Sequence, residues 1–136
     1  MLDVWNRVLT NVKIAISDVC TNVSNTETDD PAAFPAVFVT QMENRDAETD
    51  MENTEFGVIS EIRIQCFSRK NLAESRSIMA TACDAMRTMG YRRTLGPREI
   101  LNVSDRNVKR TEARFRRFVG DLTDIPKFET NSNNNT

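Results

Sequence analysis

Residues 58–68 read VISEIRIQCFS, and their alternation constrains the fold more than any other stretch of the chain. Val58, Ser60, Ile62, Ile64 and Cys66 fall on one side of an extended backbone. Ile59, Glu61, Arg63, Gln65 and Phe67 fall on the other. Successive strand side chains point to opposite faces, so the first set marks a core face and the mixed second set faces solvent or a neighbour. Such a strand needs partners at its edges and a cover over its apolar side.

The partners are legible on either side of it. In residues 36–43, AVFVTQME, Val37 and Val39 alternate with Phe38 and Thr40, and Pro35 stands at the strand start, where no ladder donor is required. The run VKRTEARFRRFVG, residues 108–120, puts Ala113 and Phe115 on one side and Arg110, Glu112, Arg114 and Arg116 on the other. Arg117-Phe118-Val119 interrupts that alternation and predicts a bulge. Ile100, Leu101 and Val103 suggest a fourth strand, after a turn-rich bridge YRRTLGP at 91–97 and before a tight turn at Asp105-Arg106-Asn107.

Two helices supply the cover. Over residues 3–19, Val4, Trp5, Val8, Leu9, Val12, Ile16 and Val19 recur at three- and four-residue steps, with Asp3 placed to cap the start. A second helix opens on Asn71 as N-cap with Glu74 three residues on, a variant of the capping box. Its stripe is Leu72, Met79, Ala82, Cys83, Met86 and Met89, and Gly90 closes it in the left-handed position that follows many helix ends. Residues 20–33 are polar and read as a loop, and 121–128 as an extended tail. The order helix, strand, strand, helix, strand, strand with short strand links predicts an α+β domain. Its sheet is four-stranded, antiparallel or mixed, with two helices on one face. One domain over 1–128 is expected, followed by a disordered asparagine-rich tail at 129–136.

Charge is divided along the chain. Residues 1–61 hold twelve acids and three bases, residues 62–136 eight acids and fifteen bases, although the net is only −2. The acids concentrate in 44–57, where Asp46, Glu48, Asp50, Glu52 and Glu55 accompany one base, Arg45, in what reads as an exposed hairpin tip. The bases concentrate in Arg106, Lys109, Arg110, Arg114, Arg116 and Arg117. Three readings fit that series: a solvated strand face that resists edge-to-edge aggregation, a subunit interface of Arg–carboxylate pairs, or a phosphate-binding face. The acidic overall balance and the lack of interleaved aromatics weigh against a dedicated nucleic-acid binder.

Reaction chemistry is not expected. The chain has no histidine and four glycines, and it lacks GxSxG, HExxH, P-loop and dinucleotide-turn motifs. Glu61 and Glu112 are the one carboxylate pair that could meet across the sheet. The acidic hairpin lacks the glycine placement and ligand spacing of a calcium loop, so no metal is expected. Cys20, Cys66 and Cys83 are odd in number and widely spaced, which fits buried apolar residues better than a disulfide framework or a zinc site. No apolar stretch approaches the ~20 residues of a membrane span, and MLDVWNRV lacks the basic start of a signal peptide, so a cytosolic product is expected.

Taken in order, FPAVFVTQMEN, GVISEIRIQCFS, AESRSIMATACDAMRTMGYRRT and TEARFRRFVG resemble the tail terminator, or tail completion, proteins of long-tailed bacteriophages and prophages. The similarity runs over roughly residues 2–128 and includes no catalytic signature. It implies a homohexameric ring on the last ring of tail-tube subunits, which stops tube growth and offers a docking surface to head-completion proteins of the neck. DNA would pass through the lumen without sequence-specific binding. No cofactor, reaction or membrane is implied, and the place of work is the virion tail or neck, with assembly in the host cytoplasm. A closed ring joins unlike faces of successive copies. Glu48, Asp50 and Glu52 on one side and Arg110, Arg114, Arg116 and Arg117 on the other are the residues expected at such contacts. Another neck component, a head-closure or adaptor protein, is the nearest alternative, and a small nucleic-acid-binding module the next.

Overall fold

The computed structural model describes residues 4–24, 33–49, 55–101 and 107–128, and of residues 43–49, 55–56 and 122 the backbone alone. The elements in chain order are α1 (Trp5–Ala15), β1 (Val23–Ser24), β2 (Ala36–Thr49), β3 (Glu55–Ser68), α2 (Leu72–Thr88), β4 (Arg92–Leu101) and β5 (Lys109–Val119). They form an α+β domain with one mixed sheet in the order β1-β2-β3-β5-β4. β3 pairs antiparallel with β2 and β5, β4 antiparallel with β5, and β1 parallel with β2.

The core face of β3 is realised in full, whereas on its other face Gln65 and Phe67 are buried as well, Phe67 in a second apolar cluster. Val58, Ser60, Ile62, Ile64 and Cys66 are all 0% exposed. Val58, Ile62, Ile64 and Cys66 meet Val37 and Val39 of β2, Ala113 and Phe115 of β5, and the buried stripes of both helices in one cluster. Each large apolar side chain so buried contributes roughly 1.5–3 kcal/mol from its loss of water contact. Both helices therefore lie on one face of the sheet, as expected. Trp5 rests half-buried against this core and donates from Nε1 to the Val39 carbonyl at 3.3 Å.

The ends of α2 follow from its sequence. Asn71 is extended, and its Oδ1 accepts from the Glu74 N–H at 2.8 Å. Ser68 Oγ donates to Glu74 Oε1 at 2.6 Å and accepts from the Lys70 and Asn71 N–H groups, so the reciprocal half of the capping box runs through Ser68. Gly90 takes φ +82° after the C-cap Met89, in the place read from the sequence. The stripe is wider than expected: Ser75, Ile78 and Ala85 are buried too. Ser75 Oγ bonds the Cys66 carbonyl at 2.8 Å and lies 2.9 Å from Thr111 Oγ1, so the polar member of the stripe is satisfied by the sheet beneath it.

Several expectations are corrected. The sheet has five strands, because Val23 and Ser24, placed in a loop by their polar surroundings, pair with Val37 and Phe38. Helix α1 ends at Ala15, and Val19 beyond it is 47% exposed, outside the apolar stripe. Its N-cap is Val4, which brings no side-chain bond; Asp3 lies outside the described residues. The acidic run is mostly ladder, since β2 continues to Thr49 and β3 begins at Glu55. The bridge at 91–97 is strand as well. β4 is an edge strand with ladder irregularities on both sides of Leu95, and an edge accommodates Pro97 because one side of the strand needs no partner. Gly96 takes φ +72° there, and a β-carbon on it would collide with the Glu112 carbonyl oxygen.

No bulge interrupts β5 at residues 117–119, which pair in regular register with Ser60, Ile59 and Val58. Arg117 faces the helix side and bonds the Met89 and Asp124 carbonyls from Nη1, so the charge satisfies the C-terminal end of α2. The segment 121–128 is anchored into the core through Ile125, which is fully buried. Asn11, buried on α1, donates from Nδ2 to the Pro126 carbonyl at 2.7 Å and accepts the Phe128 N–H at 3.0 Å. The tail at 129–136, Val103, and the Asp105-Arg106 part of the turn lie outside the described residues.

Candidate functional site

The face of the sheet turned away from the helices carries the polar chemistry. Cross-strand register orders it into rows. Phe67 lies beside Arg110 and Ile100; Gln65 beside Glu112 and Arg98; Arg63 beside Arg114 and Leu95; Glu61 beside Arg116 and Arg92; Ile59 beside Phe118. One end is apolar, where Phe34, Ala36, Phe38, Phe67 and Val108 form a second, smaller cluster. Phe38 and Phe67 meet edge to face with centroids 5.3 Å apart. Arg69 stacks over Phe34 and Arg110 over Phe67, which moves from that apolar end into the charged rows.

Glu112 is the centre of those rows. It is 3% exposed although it belongs to the outer face. Its Oε1 lies 3.7 Å from Arg63 Nη1 and accepts from Gln65 Nε2 at 3.3 Å. Its Oε2 lies 3.6 Å from Arg98 Nη2 and 3.7 Å from Arg114 Nη2. Three strands thus contribute guanidinium groups to one carboxylate. The approaches are ion-pair distances, longer than hydrogen bonds. One negative charge stands among three positive ones, and the side chains of Arg63, Arg98 and Arg114 remain 23%, 56% and 35% exposed, so their outer surfaces face solvent. Arg114 Nε is buried with no hydrogen-bond partner among the described residues. The close approach of β4 at Gly96 is what brings Arg98 over Glu112.

Glu61 does not meet Glu112. Its Oε1 lies 3.9 Å from Arg116 Nε, and the Arg63–Arg114 row separates the two carboxylates, so no acid–base dyad forms. Among the residues expected at contacts, Arg110, Arg114 and Arg116 share the outer face while Arg117 lies on the other side. Glu48 sits on β2 opposite Gly57, and Asp50 and Glu52 lie outside the described residues. Sequence reading missed Arg98, which follows directly on an apparent turn, and the organising position of Glu112, which register alone makes visible.

Other features offer little chemistry. Among the described residues no group of three or more potential metal ligands gathers, and no helix is long and apolar enough to cross a membrane. Burial pushes the Cys20, Cys66 and Cys83 thiols up, Cys66 most strongly. Arg93 works against burial at Cys83. Tyr91, raised by burial, donates to Ser60 Oγ at 2.8 Å inside the core. A hollow of about 290 Å³ beside Cys83 and Tyr91 is small, and a groove of about 640 Å³ at the β4–β5 end is lined by Arg92, Arg93, Arg116, Arg117, Thr94 and Phe118.

The fold has a solved counterpart. A chain described as "Virion of native gene transfer agent (GTA) particle" superposes with a TM-score of 0.60 at 15% identity, over 86% of this chain and 94% of that one. At that identity the likeness is one of fold. No family model and no curated protein matches the chain.

Proposed function

We propose that this chain is a structural virion protein of a long-tailed phage or prophage. In its specific form it is a tail terminator whose copies close into a hexameric ring, cap the tail tube and present the surface to which the head docks. The observation that carries the reading is the fold likeness to a virion chain over 94% of that chain's length. The sequence resemblance to tail terminators points the same way. An edge strand, a charged sheet face and, among the described residues, no gathered catalytic groups suit a protein that works by docking. No reaction and no cofactor belong to this reading.

The test is deletion of the gene followed by electron microscopy of the lysate. A terminator leaves overlong tails without heads, because nothing stops tube growth. Tails of normal length that fail to join heads would move the protein to the head-closure or adaptor role. Normal, joined particles would refute both.

A further inference from the structure

Among the described residues, the outer sheet face carries more basic than acidic positions. By register, Arg63, Arg92, Arg98, Arg110, Arg114 and Arg116 stand in the rows of β3, β5 and β4 against Glu61 and Glu112, with Glu43 of β2 opposite Glu61. Glu112 is nearly fully buried beneath three guanidinium groups and serves to orient them. Guanidinium forks held in fixed directions with exposed outer surfaces bind further carboxylates at little cost in side-chain ordering.

The same chain carries the complementary charge, and it carries it elsewhere. Asp46 and Glu48 lie on the far part of β2, and Glu55 opens β3. Thr40 is the β2 partner of Arg63, whereas Glu48 pairs with Gly57. The eight residues from Thr40 to Glu48 span roughly 20–26 Å at ~3.3 Å per strand residue, so the acidic arm runs away from its own arginine cluster and beyond side-chain reach of it.

From this separation we propose that the Arg63–Arg98–Arg114 cluster, organised by Glu112, is a docking site for the acidic β2–β3 arm of a second copy of this chain. The contact is head-to-tail: the arm of one copy meets the sheet face of the next, leaving that copy's arm free to repeat it. Heterologous contacts of this kind close into rings when the rotation permits. The proposal deepens the ring reading by naming its contact, and needs only that copies associate.

The experiment pairs two charge-reversed variants, Arg98→Glu with Arg114→Glu, and Asp46→Lys with Glu48→Lys. Native mass spectrometry and light scattering follow association at low and high salt, with circular dichroism as the check on folding. Wild type should associate, and do so less at high salt. Each variant alone should lose association by tenfold or more, and mixing the two should restore it as mixed species. If the arginine variant fails to fold, the arm variant still decides the matter. The proposal is overturned if wild type is monomeric at every accessible concentration, if the arm variant associates like wild type, or if two folded variants do not recover association on mixing. Short duplex DNA is the competing occupant. Salt-dependent DNA binding that the arginine variant abolishes, with self-association unchanged, would assign the face to phosphates and overturn the proposal. Tails of normal length in the gene deletion would count against the terminator role without touching this contact.

Discussion

Replacing Glu112 by Gln is the most informative single change. It keeps the shape of the side chain and the Gln65 contact but removes the one negative charge from the centre of Arg63, Arg98 and Arg114. At 3.6–3.7 Å each pair is an attraction of about 4–5 kcal/mol if the effective dielectric is ~20. Most of that does not appear in stability, because the carboxylate lost its hydration on folding and the three arginines can swing toward water once released. Breaking a fully buried pair costs about 3–5 kcal/mol, and the partial exposure of the arginines lowers the expected loss to about 2–3 kcal/mol. For a domain of this size each kcal/mol moves the melting midpoint by about 3–4 °C, so a fall of roughly 6–12 °C is expected. Urea and thermal unfolding by circular dichroism measure it, with Glu112→Asp as the charge-preserving control. High salt supplies the diagnostic. The deficit of the Gln variant should shrink in high salt, since the residual repulsion among half-exposed guanidinium groups is screened. A Gln variant as stable as wild type at low salt, or a deficit indifferent to salt, would refute the claim that Glu112 organises this face.

Three further outcomes follow from the same geometry. Gly96→Ala should cost more than about 1 kcal/mol, because φ is +72° and the added carbon meets the Glu112 carbonyl; amide exchange should show β4 loosened while β3 stays protected. Asn11→Ala should cost about 1–3 kcal/mol by leaving the Pro126 carbonyl and the Phe128 N–H unpaired, and limited proteolysis should then cut near 125–128. Burial raises all three thiol pKa values, so at neutral pH the thiols stay protonated and alkylate slowly. Cys83, half-buried, should react ahead of Cys66, whose modification should follow global unfolding; prompt labelling of Cys66 would contradict its burial.

The legible parts of the fold were those set by local pattern. The two faces of β3, the inner Ala113 and Phe115 of β5, and both ends of α2 were readable because period-2 alternation and capping are properties of neighbours in sequence. Arg117 was misread for the complementary reason. Its charge broke the pattern and suggested a bulge, yet the residue keeps the inner register because the Met89 and Asp124 carbonyls, distant in sequence, accept its N–H groups. β4 hid behind Gly96-Pro97, which mark turns in isolation and are tolerated here by a strand that pairs on one side only. Val23 and Ser24 carry too little pattern to announce a strand, and only the nearby edge of β2 makes them one.

The candidate site divides in the same way. Sequence by itself determined that the chain holds an acidic first half and a basic second half, that Arg110, Arg114 and Arg116 of β5 alternate onto one side, and that no histidine-based or glycine-loop motif is present. Tertiary structure alone decided which arginines gather. Arg63, Arg98 and Arg114 come from three strands and converge on Glu112 through register and the close passage of β4 at Gly96. Alternation is local and survives in a one-dimensional record. Registration of one strand against another depends on burial summed over the whole sheet, and the charge constellation exists only once that sum is settled.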